Sequence, residues 1–250
     1  MRDLGWLTAR PVAHRGLHAA GRGIIENTSS AFAGAIERNF AIECDVRLTS
    51  DGEAVVFHDG TLERLTLGTG HVGEFPAREL QQVAFRDTAD RIQTLGELLD
   101  QVGGRVPLII ELKSSWDRAP GLARRVAELC LEYRGPVATM SFDPRPVAAL
   151  AHLAPGLARG IVGENYRDLG YWNRYGLTAW QRFQLRHLLH AHRSQPHFIA
   201  YDIDGLPAAA PLLMKALGRP LLTWTVRTAE QRARAARYAD QIIFEGFLPE

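Results

Sequence analysis

At 250 residues, with 46% apolar and 23% charged residues, the chain has the make-up of a globular domain, which excludes disordered and fibrous classes. Lys and Arg number 29 against 28 Asp and Glu, a net charge of +1, so no global basic field draws it to nucleic acid or to an anionic membrane. The two cysteines, Cys44 and Cys130, are too few for a disulfide scaffold or a Cys-rich zinc site and read as reduced, buried thiols.

In chain order, eight short apolar or β-branched runs read as strands, at 11–16, 41–49, 106–113, 136–142, 158–163, 197–202, 220–226 and 241–245. Helical patterns fall between most of them. Residues 28–39 place Phe32, Ala35 and Ile36 on one face, and 120–133 do the same with Leu122, Val126, Leu129, Cys130 and Tyr133. Thr94 with Glu97, and Thr228 with Gln231, are capping-box starts for helices running through Val102 and to near Tyr238. An extended run at 53–59 follows the second strand. The stretch 60–105 is longer than an ordinary βα connection and reads as an insertion at the catalytic rim. Eight strands alternating with helices at this length favour a (β/α)8 barrel, residues 1–250 forming one domain. A dinucleotide-binding fold would need G-x-G-x-x-G after the first strand, where His14-Arg15-Gly16 stands instead.

No membrane span is expected. The first sixteen residues carry Asp3 and no apolar run of signal-peptide length, and the apolar stretch from Val147 to Val162 is broken by His152, Pro155 and Arg159. A cytoplasmic protein is the expectation.

Barrel active sites lie at the C-terminal ends of the strands, and the ionisable residues collect there. The first strand ends in His14 and Arg15, the second carries Glu43 and Asp45, the extended run ends in His58-Asp59, the third strand ends in Glu111 and Lys113, and the seventh holds Trp224. Residues two apart on a strand point the same way, so Glu43 with Asp45 and Glu111 with Lys113 converge if both pairs face the barrel axis. Three carboxylates together repel in a low dielectric, and a divalent cation resolves the conflict. All-oxygen ligation suits one hard ion, Mg²⁺ or Ca²⁺. Imidazoles titrate near neutrality, so His14 and His58 suit proton transfer, while Arg15 and Lys113 suit phosphate oxygens. The set describes cleavage of a phosphate ester.

In order, His14-Arg15-Gly16, Glu26-Asn27-Thr28, Glu43-x-Asp45-Val46-x-x-Thr49-x-Asp51-Gly52, Val55-Val56-Phe57-His58-Asp59, Leu62-x-Arg64-x-Thr66 and Glu111-x-Lys113 resemble the glycerophosphodiester phosphodiesterase family. Ser141-Phe142 and Trp224-Thr225-Val226 extend the resemblance more loosely. It implies a (β/α)8 barrel with a small insertion after the second strand. It also implies metal-dependent hydrolysis of glycerophosphodiesters to glycerol 3-phosphate and an alcohol. By matching positions, Glu43, Asp45 and Glu111 would bind the metal, His14 and His58 would be acid and base, and Arg15 and Lys113 would hold phosphate. Glu26 would orient Arg15 or a catalytic group, and Asp59 and Trp224 would line or support the pocket. Two stretches depart from the family pattern: Arg227 replaces an Asn after Trp-Thr-Val, and Phe244-Glu245 replaces a Thr-Asp pair at the end of the eighth strand. The chemistry is not expected to depend on either. Lysophospholipid cleavage and a non-catalytic phosphodiester-binding barrel are the alternatives.

Six aromatics fall within 166–183, namely Tyr166, Tyr171, Trp172, Tyr175, Trp180 and Phe183. With Trp116 and Trp224 they suit a choline cation, an acyl chain or the carbon face of glycerol, with Tyr171 or Trp172 expected at the leaving group. The alternative reading packs these rings onto the barrel. His187, His190, His192 and His197 read as a solvated helix end.

Overall fold

The structure, a computed structural model, describes residues 3–116 and 120–249. In chain order the elements are α1 (Gly5–Thr8), β1 (Val12–Ala13), α2 (Ser29–Glu37), β2 (Ala41–Leu48), β3 (Ala54–Val56), α3 (Ala77–Leu80), α4 (Leu95–Val102), β4 (Leu108–Leu112), α5 (Gly121–Glu132) and β5 (Val137–Ser141). They continue with α6 (Pro144–Leu153), β6 (Ala158–Gly163), α7 (Leu169–Asn173), α8 (Ala179–Arg186), α9 (Ala191–Ser194), β7 (Phe198–Asp202), α10 (Ala209–Ala216), β8 (Leu221–Val226), α11 (Ala229–Tyr238) and β9 (Gln241–Phe244). Eight strands pair in parallel, β1-β2-β4-β5-β6-β7-β8-β9, and β9 returns to β1, closing the (β/α)8 barrel. The short β3 lies antiparallel on the C-terminal half of β2.

Strand alternation divides the core into two layers. On β2, Ile42, Cys44 and Val46 face outward, packing with Phe32 of α2, Leu95 and Leu98 of α4, and Val126 of α5. The inward residues of the barrel, among them Ala41, Ile109, Ala138, Met140, Val162, Phe198, Leu222 and Ile243, form a second cluster that Leu4 and Leu7 of α1 join. Phe198 takes so much of this space that Gly160, its register partner on β6, has no room for a side chain: a Cβ there would stand 2.4 Å from the Phe198 ring.

The expected capping boxes are both present, Thr94 accepting from Glu97 N and Thr228 from Gln231 N. β1 is shorter than the 11–16 run because Arg15 and Gly16 turn into the left-handed region, at φ 57 and 79. Gly16 there presses against Ala31 of α2. Residues of 60–105 form a small satellite core with Val55 and Phe57, namely Leu62, Val72, Leu80, Phe85 and Ile92, whereas α4 packs between α2 and α5 in the outer ring. Among the described residues no helix is long and apolar enough to cross a membrane.

Candidate active site

The C-terminal mouth of the barrel opens on a cavity of about 340 Å³, whose wall includes His14, Arg15, Glu43, His58, Glu111 and Lys113. Glu43 and Asp45 face inward from β2, and Asp45 stands in register with Glu111 on β4. The three carboxylates offer oxygens all within 4.8 Å of one another. Each is buried, Glu43 at 1%, Asp45 at 0% and Glu111 at 6% exposure.

Two cations answer this charge. The Lys113 ammonium stands 2.9 Å from Asp45 Oδ1 and 2.7 Å from Glu111 Oε1. Arg15 Nε lies 3.1 Å from Asp45 Oδ2, and the Arg15 backbone N–H donates to Glu43 Oε2 at 3.0 Å. Burial works against the charge on Lys113, but Asp45 and Glu111 outweigh it and raise its pKa. Burial likewise opposes ionised Asp45, but Lys113 and Arg15 hold its pKa well below the usual carboxylate range. Glu43 goes the other way: burial, then Asp45 and Glu111, push it well up. Its Oε1 is buried and accepts no hydrogen bond, which is costly for a carboxylate oxygen unless a proton or a cation meets it. This all-oxygen donor set fits a hard divalent cation.

Each histidine is anchored by a carboxylate. His14 Nδ1 lies 2.8 Å from Glu245 Oε2, and His58 Nδ1 lies 2.7 Å from Asp59 Oδ1. Glu245 is held ionised, down to about 2, by its His14 hydrogen bond first and by Arg227. Asp59 is also held low: burial opposes ionisation, and its bonds from His58 and Arg64 win. An ionised carboxylate only accepts, so both Nδ1 atoms carry the proton and both Nε2 lone pairs are left for the cavity. Burial takes the His14 pKa down to about 4 despite Glu245. Burial and then Lys113 lower His58. Both rings are therefore neutral near pH 7.

A chain of side chains ties the two arms together. Glu26 accepts from Arg15 Nη1 at 2.7 Å and from Arg64 Nη2 at 2.7 Å. Arg64 also donates to Asp59 through Nε and, at 3.1 Å, through Nη2. Arg15 and His58 are thus linked as Arg15–Glu26–Arg64–Asp59–His58. Arg47 Nε adds a bond to the His58 carbonyl at 2.8 Å.

The mouth's other half is aromatic and acidic. Phe142, Trp172 and Trp224 line it with Glu164, Asp168, Asp202 and Asp204. Trp172 is 2% exposed and donates from Nε1 to Glu164 at 2.6 Å.

A family model described as "Glycerophosphoryl diester phosphodiesterase family" matches residues 14–244. The chain belongs to the glycerophosphoryl diester phosphodiesterase family. A relative from Caldanaerobacter subterraneus subsp. tengcongensis, named glycerophosphodiester phosphodiesterase, is 34% identical over 60% of this chain and 65% of its own length. A Bacillus subtilis protein of the same name is 28% identical, over 58% of this chain and 56% of its own. The aligned part is thus under two thirds of either relative. Among solved structures, an Oleispira antarctica phosphodiesterase superposes with a TM-score of 0.77 at 22% identity, covering 96% of this chain and 94% of that one. A glycerophosphodiester phosphodiesterase from Thermotoga maritima does so with a TM-score of 0.70 at 24% identity, covering 94% of both chains. These two likenesses establish the shared fold. The family and the named relatives are phosphodiester hydrolases.

The sequence reading of this family member placed His14, Arg15, Glu43, His58, Glu111, Lys113 and Trp224 on what proves to be one cavity wall. Asp45, which that reading made a metal ligand, pairs with Arg15 of this wall, and Glu26 and Asp59, which it gave supporting or pocket roles, pair with Arg15 and His58. Of the aromatic window, Trp172 lines the cavity, and Tyr175 and Trp116 line a small adjoining recess with His58 and Lys113. Tyr166 is buried against Trp172, whereas Trp180 and Phe183 stack on each other at the surface, 62% and 46% exposed. The Tyr171 side chain lies outside the described part of the structure. His187, His190, His192 and His197 belong to no three-ligand group among the described residues.

Glu245 requires a correction. The sequence reading set the Phe244-Glu245 departure apart from the chemistry, yet Glu245 is the carboxylate that holds His14. β1 and β9 are neighbours in the closed barrel, so the residue after β9 falls beside the residue after β1. Asn27 and Arg64 had been read only as motif members. Asn27, at φ 58 and 1% exposure, donates to Asp45 Oδ2 at 2.8 Å and accepts from Asp45 N at 3.2 Å.

Proposed function

We propose that this chain hydrolyses glycerophosphodiesters to glycerol 3-phosphate and an alcohol. The observation that carries the reading is the meeting of three buried carboxylates, two cations and two carboxylate-anchored histidines at one cavity. The Oleispira antarctica phosphodiesterase of the same fold holds sn-glycerol-3-phosphate, described as its product.

In this reading Glu43, Asp45 and Glu111 hold one divalent cation, Mg²⁺ or Ca²⁺, which when bound supplies charge stabilisation at the phosphoryl oxygens. Arg15 and Lys113 take the remaining phosphate charge. The neutral histidines divide the proton work. The phosphodiester anion raises the pKa of whichever ring it meets, loading it with a proton from solvent. That ring gives its Nε2 proton to the departing alcohol oxygen as the phosphorus–oxygen bond breaks. The other takes a proton on Nε2 from the attacking oxygen. The attacker is water or the substrate's own 2-hydroxyl, and the second route passes through a cyclic phosphate that phosphorus NMR detects.

We further read residues 1–250 as one domain, with 60–105 an insertion at the catalytic face as far as α4, which joins the outer ring, and the substrate as a small molecule with no role for nucleic acid. A cytoplasmic location completes the proposal; the free, buried Cys44 and Cys130 are compatible with it. The test is release of glycerol 3-phosphate from glycerophosphocholine and glycerophosphoethanolamine, run beside lysophosphatidylcholine. Turnover of the first two supports the reading. Turnover confined to the lysophospholipid favours the lipid-cleaving alternative, for which the aromatic half of the cavity gives room. Binding without turnover of any of them would leave a binding barrel.

A further inference from the structure

We propose that His14, His18 and Glu245 form a second metal site, for a zinc-like ion, whose filling stops the reaction. The claim of inhibition rests on the function proposed above; the claim of binding does not.

The three side chains offer ligand atoms all within 4.8 Å of one another. Glu245 Oε2 stands 2.8 Å from His14 Nδ1 and 3.9 Å from His18 Nε2. A tetrahedral ion ~2.0–2.1 Å from each donor separates its ligands by about 3.3 Å, which a small rotation of these rings reaches. The scaffold sets the spacing: β1 pairs with β9, and His14 N donates to the Phe244 carbonyl at 3.0 Å. A second observation points to a ligand. His18 Nε2 is buried and has no hydrogen-bond partner, although the ring is only 15% exposed and its Nε2 faces Glu245. A buried ring nitrogen left without a partner is unusual.

The donor chemistry separates this site from the acidic cluster. Two imidazoles and one carboxylate suit Zn²⁺ or Co²⁺, whereas an all-oxygen set suits Mg²⁺ or Ca²⁺. The two sites share no ligand, though His14 Nε2 lies 3.9 Å from Glu43 Oε2. One cation competes: Arg227 Nη2 sits 3.1 Å from Glu245 Oε2, on a side chain 53% exposed and so able to swing away.

The consequence follows from His14 having two nitrogens. The ion takes the Nδ1 lone pair, and the ring's one proton moves through solvent from Nδ1 to Nε2. The neutral ring then carries its proton on Nε2 and has no lone pair there to accept another. Proton transfer through His14 stops while the acidic cluster is undisturbed.

The experiment holds the full chain in excess Mg²⁺ and adds Co²⁺ or Zn²⁺. Co²⁺ is followed by its visible absorption, which reports nitrogen ligation whether or not the chain turns over. Zn²⁺ is followed by loss of phosphodiesterase rate. His18→Asn is expected to keep its Mg²⁺-supported rate, lose the Co²⁺ band and need at least about tenfold more Zn²⁺ for half-inhibition. Arg227→Gln is expected to need several-fold less. A Co²⁺ band and Zn²⁺ sensitivity unchanged in His18→Asn would overturn the site, placing the ion elsewhere. Should His18→Asn fail to fold by circular dichroism, Arg227→Gln decides: tighter Co²⁺ binding upholds the site, and equal or weaker binding refutes it. If the chain has no phosphodiesterase activity, the Co²⁺ comparison still tests binding, so the two failures are told apart.

Discussion

Replacing Arg64 by Gln separates positioning from stability. Arg64 bridges Glu26 and Asp59, and through them Arg15 and His58. Its side chain is 47% exposed, against 13% for Glu26 and 21% for Asp59. Exposed ion pairs contribute ~0.2–1 kcal/mol each, so losing these two costs about 1 kcal/mol, or about 2–4 °C in a chain this size. The effect on turnover is larger. Without Arg64 each carboxylate keeps one partner, and the Arg15 guanidinium and the His58 ring lose their common anchor. Loss of such supporting partners costs ~10–100-fold, and misplacement by an ångström costs as much. The control is Arg125→Gln. Arg125 makes a two-pronged pair with Glu53, both contacts 2.8 Å, away from the cavity. It should lose a similar few degrees with kcat unchanged. The assay is kcat and KM on glycerophosphocholine beside thermal unfolding of parent and both variants. An Arg64→Gln enzyme with parental kcat, or a kcat loss equally large in Arg125→Gln, would refute the idea that this chain of ion pairs aligns the site.

Four further outcomes are expected. His14→Ala and His58→Ala should each lose ~10²–10⁴-fold in kcat with folding intact, and their effects should not add, because both serve one reaction; steady-state rates of the single and double variants check this. Asn27→Ala removes both bonds to the buried Asp45 and should cost about 1–3 kcal/mol in chemical denaturation, with weaker divalent-ion binding by calorimetry. Glu245 has its pKa depressed from 4.5 to about 2 by His14 and Arg227. Its stabilisation is therefore complete above pH 4.5 and lost as pH falls towards 2. The stability gap between parent and Glu245→Gln should shrink across that window, and a gap that stays constant there contradicts the assignment. Trp172→Ala should change the ratio of kcat/KM for glycerophosphocholine over glycerophosphoethanolamine several-fold, with divalent-ion affinity unchanged.

Much of this was legible in the residues because barrel strands obey a period of two. Glu43 and Asp45 share a face with Ala41, while Ile42, Cys44 and Val46 face the helices. The pattern therefore assigns the carboxylates to the interior before any coordinate is known. The capping boxes at Thr94 and Thr228 were equally local. Glu245 was harder, since its partner His14 is 231 residues away. Patterning tells which residues end strands but not which strand ends are neighbours across the closure. The rule that drew attention to His14 and Lys113, position at a C-terminal strand end, applied to Glu245 too and was the available signal. The aromatic window was opaque for another reason. α7, α8 and α9 have five, eight and four residues, too short for periodicity to separate Trp172, which faces the cavity, from Trp180, which faces solvent.

The central claim, that Glu43, Asp45 and Glu111 hold a divalent ion needed for phosphodiester cleavage, is tested most directly by stripping the chain with EDTA. The phosphorus NMR signal of glycerophosphocholine is then followed before and after Mg²⁺ or Ca²⁺ is restored, in parent and in Asp45→Asn. The account predicts no conversion in the stripped chain. It predicts full recovery of the glycerol 3-phosphate signal on re-addition, and recovery in Asp45→Asn only at higher ion concentration. Undiminished conversion after exhaustive chelation, or an Asp45→Asn response identical to the parent's, would contradict it.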